Sequence, residues 1–298
     1  MTIPPLLVFG RNGQVAQCLV EAGARTKRPV VALGRNEIDV LDGQALRAAI
    51  AVHKPHAVVN AAAYTAVDKA ESEEGEAMRL NAEAPRLMAE ASEAAGLPFL
   101  HISTDYVFDG TLDRPYTEDD TPNPQGAYGR TKLAGELAVA AVAERHLVLR
   151  TAWVFSENAN NFMKTMIRLG AERPQLRVVD DQRGCPTYAG HIAAALIVLA
   201  ERMNDETAPA GTFHMAAEGE VSWHGFAAAI FEECAARGLK FPQELLAIPT
   251  SEYPTPAKRP ANSVLDCSRL LREFGVRLPH WRDGLALAMD RYQVLNSN

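Results

Sequence analysis

The chain has 298 residues, a formal charge of −7, 47% hydrophobic residues and 22% charged residues. That length holds about two ordinary domains, and the mix excludes wholesale disorder or a collagen-like repeat. The cysteines at 18, 185, 234 and 267 form no CxxC pair, Lys and Arg are scattered rather than striped, and no apolar run is long enough for a membrane span, which excludes a disulfide framework, a zinc site, a nucleic-acid footprint and a bilayer anchor.

The start, Met1 to Leu6, lacks the basic region and small-residue cleavage site of a leader, so a cytoplasmic location is expected. Short apolar runs then alternate with helical patterns. Strands are predicted at 5–9, 29–33, 56–60, 99–103 and 146–151. Between them, helices are predicted from Gln14 to Glu21, after a cap at Asp42, from Glu71 to Ala95 and from Tyr128 to Glu144. Apolar strands separated by helices imply βαβ units and a parallel sheet covered on both faces. After about residue 155 the rhythm loosens. Strands are predicted at 176–179 and 211–215, and helices at 161–169, 191–203, 222–237 and 281–294, with Ser222 a cap. The stretch Ile248 to Pro260 carries four prolines and reads as an ordered loop. The expected fold is α/β, a doubly wound Rossmann-like parallel sheet with a smaller C-terminal α/β substrate domain. Residues 1–154 would form the dinucleotide-binding domain, rejoined by about 188–216, and 155–298 mainly the substrate domain.

Three motifs carry chemistry. Gly10-Arg11-Asn12-Gly13-Gln14-Val15-Ala16 follows the first strand and opens a helix. Glycine there lets backbone approach a phosphate, and the helix N-terminus offers unpaired N–H groups to a pyrophosphate. At the end of the second strand stands Gly34-Arg35 where an acid would favour NAD. The Arg35 guanidinium can pair with a 2′-phosphate, so NADPH is expected, with NADH accepted. Tyr128 and Lys132, at i and i+4, share one helix face. An ammonium nearby lowers a phenol's pKa and makes it a general acid. Thr104, at the carboxyl end of the fourth strand, could hydrogen-bond the reacting oxygen.

These motifs resemble the extended short-chain dehydrogenase/reductases and, more narrowly, the dTDP-4-dehydrorhamnose reductase family. The matching stretches include Asn60 to Glu71, Ser103 to Gly110, Tyr128 to Glu136, Arg150 to Phe155 and Arg259 to Ser263, so the resemblance spans nearly the whole chain. It implies NADPH-dependent reduction of the C4 ketone of dTDP-4-dehydro-L-rhamnose to dTDP-L-rhamnose, a late step of nucleotide-sugar biosynthesis. It implies that Gly10, Gly13, Gln14 and Val15 wrap the pyrophosphate and that Asp39 and Val40 flank the adenine. Ala63, Tyr64 and Thr65 would line the cofactor beyond the third strand. Thr104, Tyr128 and Lys132 would be the catalytic set, with Tyr128 and Lys132 also touching the cofactor. Asp105, Tyr106, Trp153, Arg259 and Asn262 would face the sugar nucleotide together with Thr104 and Tyr128. The chain departs from the family at Ala16, where a third glycine is usual, and at Gly34, where relatives can carry an acid.

Two rival readings use the same residues: another nucleotide-sugar reductase or epimerase, or a non-catalytic NADP-binding subunit similar to the regulatory subunit of methionine adenosyltransferase. The expected partner is a small nucleotide sugar, with no nucleic acid, membrane or metal; a homodimer is left open. Cys185 and the acidic run from Glu71 to Glu76 read as packing and as a solvated helix start.

Overall fold

The computed structural model describes residues 3–296. Met1, Thr2, Ser297 and Asn298 lie outside them, and with them the first two residues of the segment read as lacking a leader. Six parallel strands form the central sheet: β1 (Leu6–Phe9), β2 (Val30–Leu33), β3 (Ala57–Asn60), β4 (Phe99–Thr104), β5 (His146–Thr151) and β10 (Gly211–His214). Their spatial order is β10-β5-β4-β3-β1-β2. The order reverses between β1 and β3, and the crevice beyond the carboxyl ends of strands at such a point is where doubly wound sheets hold ligands.

The sheet is near-continuously apolar because both faces are covered. On one face α1 (Gln14–Thr26) packs with α8 (Ala189–Arg202), joining Ala16, Leu19, Ile192 and Leu196 to Val8 and Leu149. On the other, α2 (Gly43–His53) and α5 (Ala84–Ala94) join Leu46, Ile50 and Met88 to Leu7 and Val148. Asp42 caps α2 by accepting from the backbone N–H groups of Gln44 and Ala45. Between β5 and β10 the chain leaves the sheet and returns, since β10 pairs with β5. Ser268–Phe274 (α10), which has no counterpart among the predicted helices, also joins the sheet core through Leu270 and Phe274.

The long helix predicted from Glu71 to Ala95 is divided. Val67–Ala70 (α3) and Glu74–Met78 (α4) are short, and Arg79–Glu83 is a π-helical turn leading into α5. The π turn has its cause in Pro85, at the start of α5. Proline lacks the N–H that would bond the carbonyl of Asn81 and its ring crowds that carbonyl, so the helix widens there.

A second cluster gathers Phe155, Met163, Phe226, Ile230 and Trp281. It comes from β6 (Val154–Phe155), α7 (Phe162–Glu172), α9 (Trp223–Ala236) and α11 (Trp281–Asn296). Ser222 caps α9, accepting from Gly225 N–H at 3.0 Å. Three small pairings brace this region: β7 (Gln175–Val179) with β12 (Glu244–Ile248), β8 (Arg183–Gly184) with β11 (Val221–Ser222), and β6 with β9 (Thr187–Tyr188). Residues 249–260 form a loop with one 3-10 turn at Thr250–Glu252. No helix among the described residues is long and apolar enough to cross a membrane.

Candidate active site

The turn after β1 and the loop after β3 meet at the reversal point. Gly10 has φ +110°, and a Cβ there would stand 2.7 Å from the backbone of Ala61 and Ala62. Only glycine permits that approach. Gly13 precedes α1 without a side-chain cap, so the first N–H groups of α1 are left for a ligand. Gln14 turns its side chain across the cleft: its Oε1 accepts from Ser156 and from Asn161 Nδ2, at 2.8 and 2.9 Å. The Val15 side chain is buried in the core, which leaves its backbone to face a phosphate. This cradle fits a dinucleotide pyrophosphate.

Two arginines lie near the end of β2. Arg35 is exposed beyond β2. Arg11 instead reaches the end of that strand, where Nε donates to Ala32 O at 2.8 Å and Nη1 pairs with Glu37. Glu37 also accepts from Gly34 N–H at 2.8 Å. The turn folds the Arg11 side chain back over β2, a placement that spacing alone does not reveal. Asp39 is exposed and accepts from Leu41 N–H, while Val40 is half-buried.

Beyond β3, Tyr64 and Thr65 border the cleft with Ala63. Asn81, in the π turn, holds this loop: its Oδ1 accepts from Tyr64 N–H at 2.8 Å, and its Nδ2 donates to Thr131 Oγ1 at 3.1 Å. The Tyr64 hydroxyl donates to Glu73 at 2.5 Å. Glu71 accepts from Ala127 N–H, and Glu74 pairs with Arg130, so the acidic run ties this loop to α6 (Ala127–Val142) rather than only facing water.

Thr104 ends β4 beside Tyr128, at the start of α6. Burial holds the Tyr128 phenol above its ordinary pKa, with Thr104 acting in the opposite sense. Thr104 donates to Asp105 Oδ1 at 3.0 Å. Burial raises the Asp105 carboxyl to about 6, and its Oδ2 has no partner. Tyr106 packs edge-on against Tyr128, 5.4 Å between ring centres. Lys132 is fully buried and bonds Ile102 O at 2.7 Å and His101 Nε2 at 3.3 Å.

The residues expected at the sugar nucleotide separate into two groups. Arg259 donates to Asp68 at 2.8 Å and lies over the Tyr106 ring, which brings the 249–260 loop to the segment that follows β4. Trp153 has φ +48° and stacks on Trp223 with 3.4 Å between ring centres. Asn262 is different. Its Nδ2 donates to Leu112 O and Arg114 O, and its Oδ1 accepts from Val264 N–H, so the amide secures a loop.

The family model described as RmlD substrate binding domain matches residues 4–294. The chain belongs to that family. Among curated relatives it is similar to the dTDP-4-dehydrorhamnose reductases of Burkholderia thailandensis, at 45% identity over 95% of this chain and 97% of that one, and of Sinorhizobium fredii, at 44% over 93% and 94%. Among solved structures it resembles the dTDP-4-dehydrorhamnose reductase of Bacillus anthracis in complex with NADP, with TM-score 0.89, 32% identity and coverage of 97% and 99%.

In this RmlD-family chain, sequence reading missed the support behind the site. Glu136 accepts from Ser103 at 2.5 Å and from Arg150 Nη2 at 2.7 Å, all three buried. Glu136 lies four residues after Lys132 on α6, and that i+4 spacing on a buried face was the available signal. Asn60 and His101 had none, since polar residues inside apolar strands read as interruptions.

Proposed function

We propose that this protein is an NADPH-dependent reductase of the C4 ketone of dTDP-4-dehydro-L-rhamnose, yielding dTDP-L-rhamnose in the cytoplasm, with NADH as an accepted substitute. The carrying observation is that Thr104, at the carboxyl end of β4, and Tyr128, at the start of α6, come together through Tyr106, which bonds the first and packs on the second, beside the glycine cradle. A binding subunit would have no need of that pair. The reductase names and the NADP complex among the relatives support the same reading.

Gly10, Gly13 and the α1 N-terminus would hold the pyrophosphate, with Ala63, Tyr64 and Thr65 along the cofactor's far half. When bound, NADPH supplies the hydride that reduces the C4 carbon. Thr104 orients the carbonyl oxygen and the phenol together. Tyr128 donates its proton to that oxygen, and its raised pKa keeps it protonated until then. Asp105, Tyr106, Trp153 and Arg259 would shape the sugar-nucleotide side, and the Arg259 guanidinium suits a diphosphate. Asn262 would act through the loop it secures. The cofactor domain in this reading is 1–154 rejoined by 188–216, which the pairing of β10 with β5 supports; the substrate domain is mainly 155–298.

Purified protein given NADPH and dTDP-4-dehydro-L-rhamnose should consume the two in equal amounts and form dTDP-L-rhamnose. If NADPH absorbance stays constant with this sugar, the proposal is wrong.

A further inference from the structure

Behind the catalytic face, side chains from three elements form one buried chain. Asn60 ends β3, His101 lies in β4 and Lys132 in α6, and none is more than 1% exposed. Ala62 N–H donates to Asn60 Oδ1 at 2.9 Å. A backbone N–H can only donate, so this contact fixes the amide with Nδ2 toward His101 Nδ1, 3.0 Å away. An amide nitrogen also only donates. His101 Nδ1 must therefore accept, and the neutral ring carries its hydrogen on Nε2. Burial keeps the ring neutral, holding its pKa well below the ordinary value. Nε2 in turn faces Lys132 Nζ at 3.3 Å. An N–H pointing at an amine hydrogen-bonds the neutral form and opposes the ammonium. The other partner of Lys132, the Ile102 carbonyl, accepts from either form.

We propose that His101, locked by Asn60 as the Nε2–H tautomer, is a positioning residue that lowers the proton affinity of Lys132. Its effect on turnover rests on the reductase reading.

The charges around Lys132 agree with this role. Glu136, on α6, opposes deprotonation but is bound by Arg150 of β5 and Ser103 of β4. Tyr128 and Asp105 lie on the catalytic side, and the Asp105 charge acts on the phenol. Burial, with Glu136 opposing it, brings the Lys132 amine down to about 8.

The test is nitrogen NMR of the histidine rings in the whole enzyme without cofactor, together with the Lys132 ε-carbon resonance followed against pH. His101 should show the Nε2–H form. In Asn60→Asp the carboxylate accepts from Nδ1–H, so the tautomer should flip and Lys132 should titrate about one unit higher. The alkaline fall of kcat should move upward with it. His101→Phe keeps the ring volume and should also move that limb upward, with KM for NADPH little changed. An Nδ1–H tautomer in the unaltered enzyme, or an unmoved Lys132 titration in Asn60→Asp, overturns the proposal. Absence of turnover refutes the reductase reading, while the tautomer and the Lys132 titration still decide the hydrogen-bond chain.

Discussion

Gly135 of α6 lies directly against the carbonyl oxygen of Asn81, so closely that a Cβ at 135 would overlap it. Two sequence features meet there. Pro85 leaves the Asn81 carbonyl without its helical donor, and glycine lets α6 pack onto the widened turn. The Asn81 side chain, on the other side of the same residue, holds the Tyr64 loop. Gly135→Ala should therefore destabilise the protein by about 1–3 kcal/mol and weaken NADPH binding as well. Thermal unfolding and cofactor titration check both; an unchanged melting temperature with unchanged affinity would mean that the contact has no such role.

Tyr128→Phe removes the phenolic proton and keeps the ring against Tyr106. Turnover should fall by about 10²–10⁴, the usual contribution of a positioned acid, while NADPH affinity stays within a few fold. Steady-state rates and fluorescence titration of the same variant measure the two. Near-normal turnover would remove Tyr128 as donor.

Cofactor choice should follow Arg11 rather than Arg35. Both arginines are exposed, and Arg11 is held at the end of β2 by Ala32 and Glu37. A charge-assisted hydrogen bond to a 2′-phosphate contributes about 1.5–3 kcal/mol, or roughly tenfold or more in affinity. Arg11→Ala should lower the NADPH-to-NADH ratio of kcat/KM by that factor, and Arg35→Ala should leave it nearly unchanged. The reverse pattern would restore the assignment made from sequence.

Acid should destabilise the fold through buried histidine. His214 binds Tyr116 O through Nδ1, has no partner at Nε2, and is lowered by burial and then by Arg150 to about 3. An unfolded imidazole titrates near 6.5. Below that pH the unfolded chain takes up a proton that the folded chain refuses. The stabilisation is thus complete above about 6.5 and is lost as pH falls toward 3. Between pH 7 and 5 this amounts to about 2 kcal/mol from one such ring. Urea unfolding at those two pH values should show a smaller difference in His214→Gln than in the unaltered protein, where His101 acts in the same sense. An equal difference would exclude His214.

Sequence by itself determined the parallel sheet, because runs such as Leu6–Phe9 and Ala57–Asn60 are apolar throughout and a helix follows each. It determined the glycine turn and the Tyr128–Lys132 face, because those depend on spacing along one strand–helix junction. It also placed Asp42 and Ser222 as caps, where a side chain bonds backbone two or three residues away. Each of these is local in the chain. What the tertiary structure alone decided joins distant segments. Arg11 is brought to β2 because of how the turn folds back, and Asn262 is drawn into holding Leu112 and Arg114. Pro85 widens the helix at the turn where Gly135 lies against the Asn81 carbonyl. The tautomer of His101 follows from an Asn60 amide 41 residues earlier, itself oriented by one backbone N–H. Buried polar groups must find partners wherever the fold brings them, so their roles are settled by proximity across the sheet and not by neighbours in sequence.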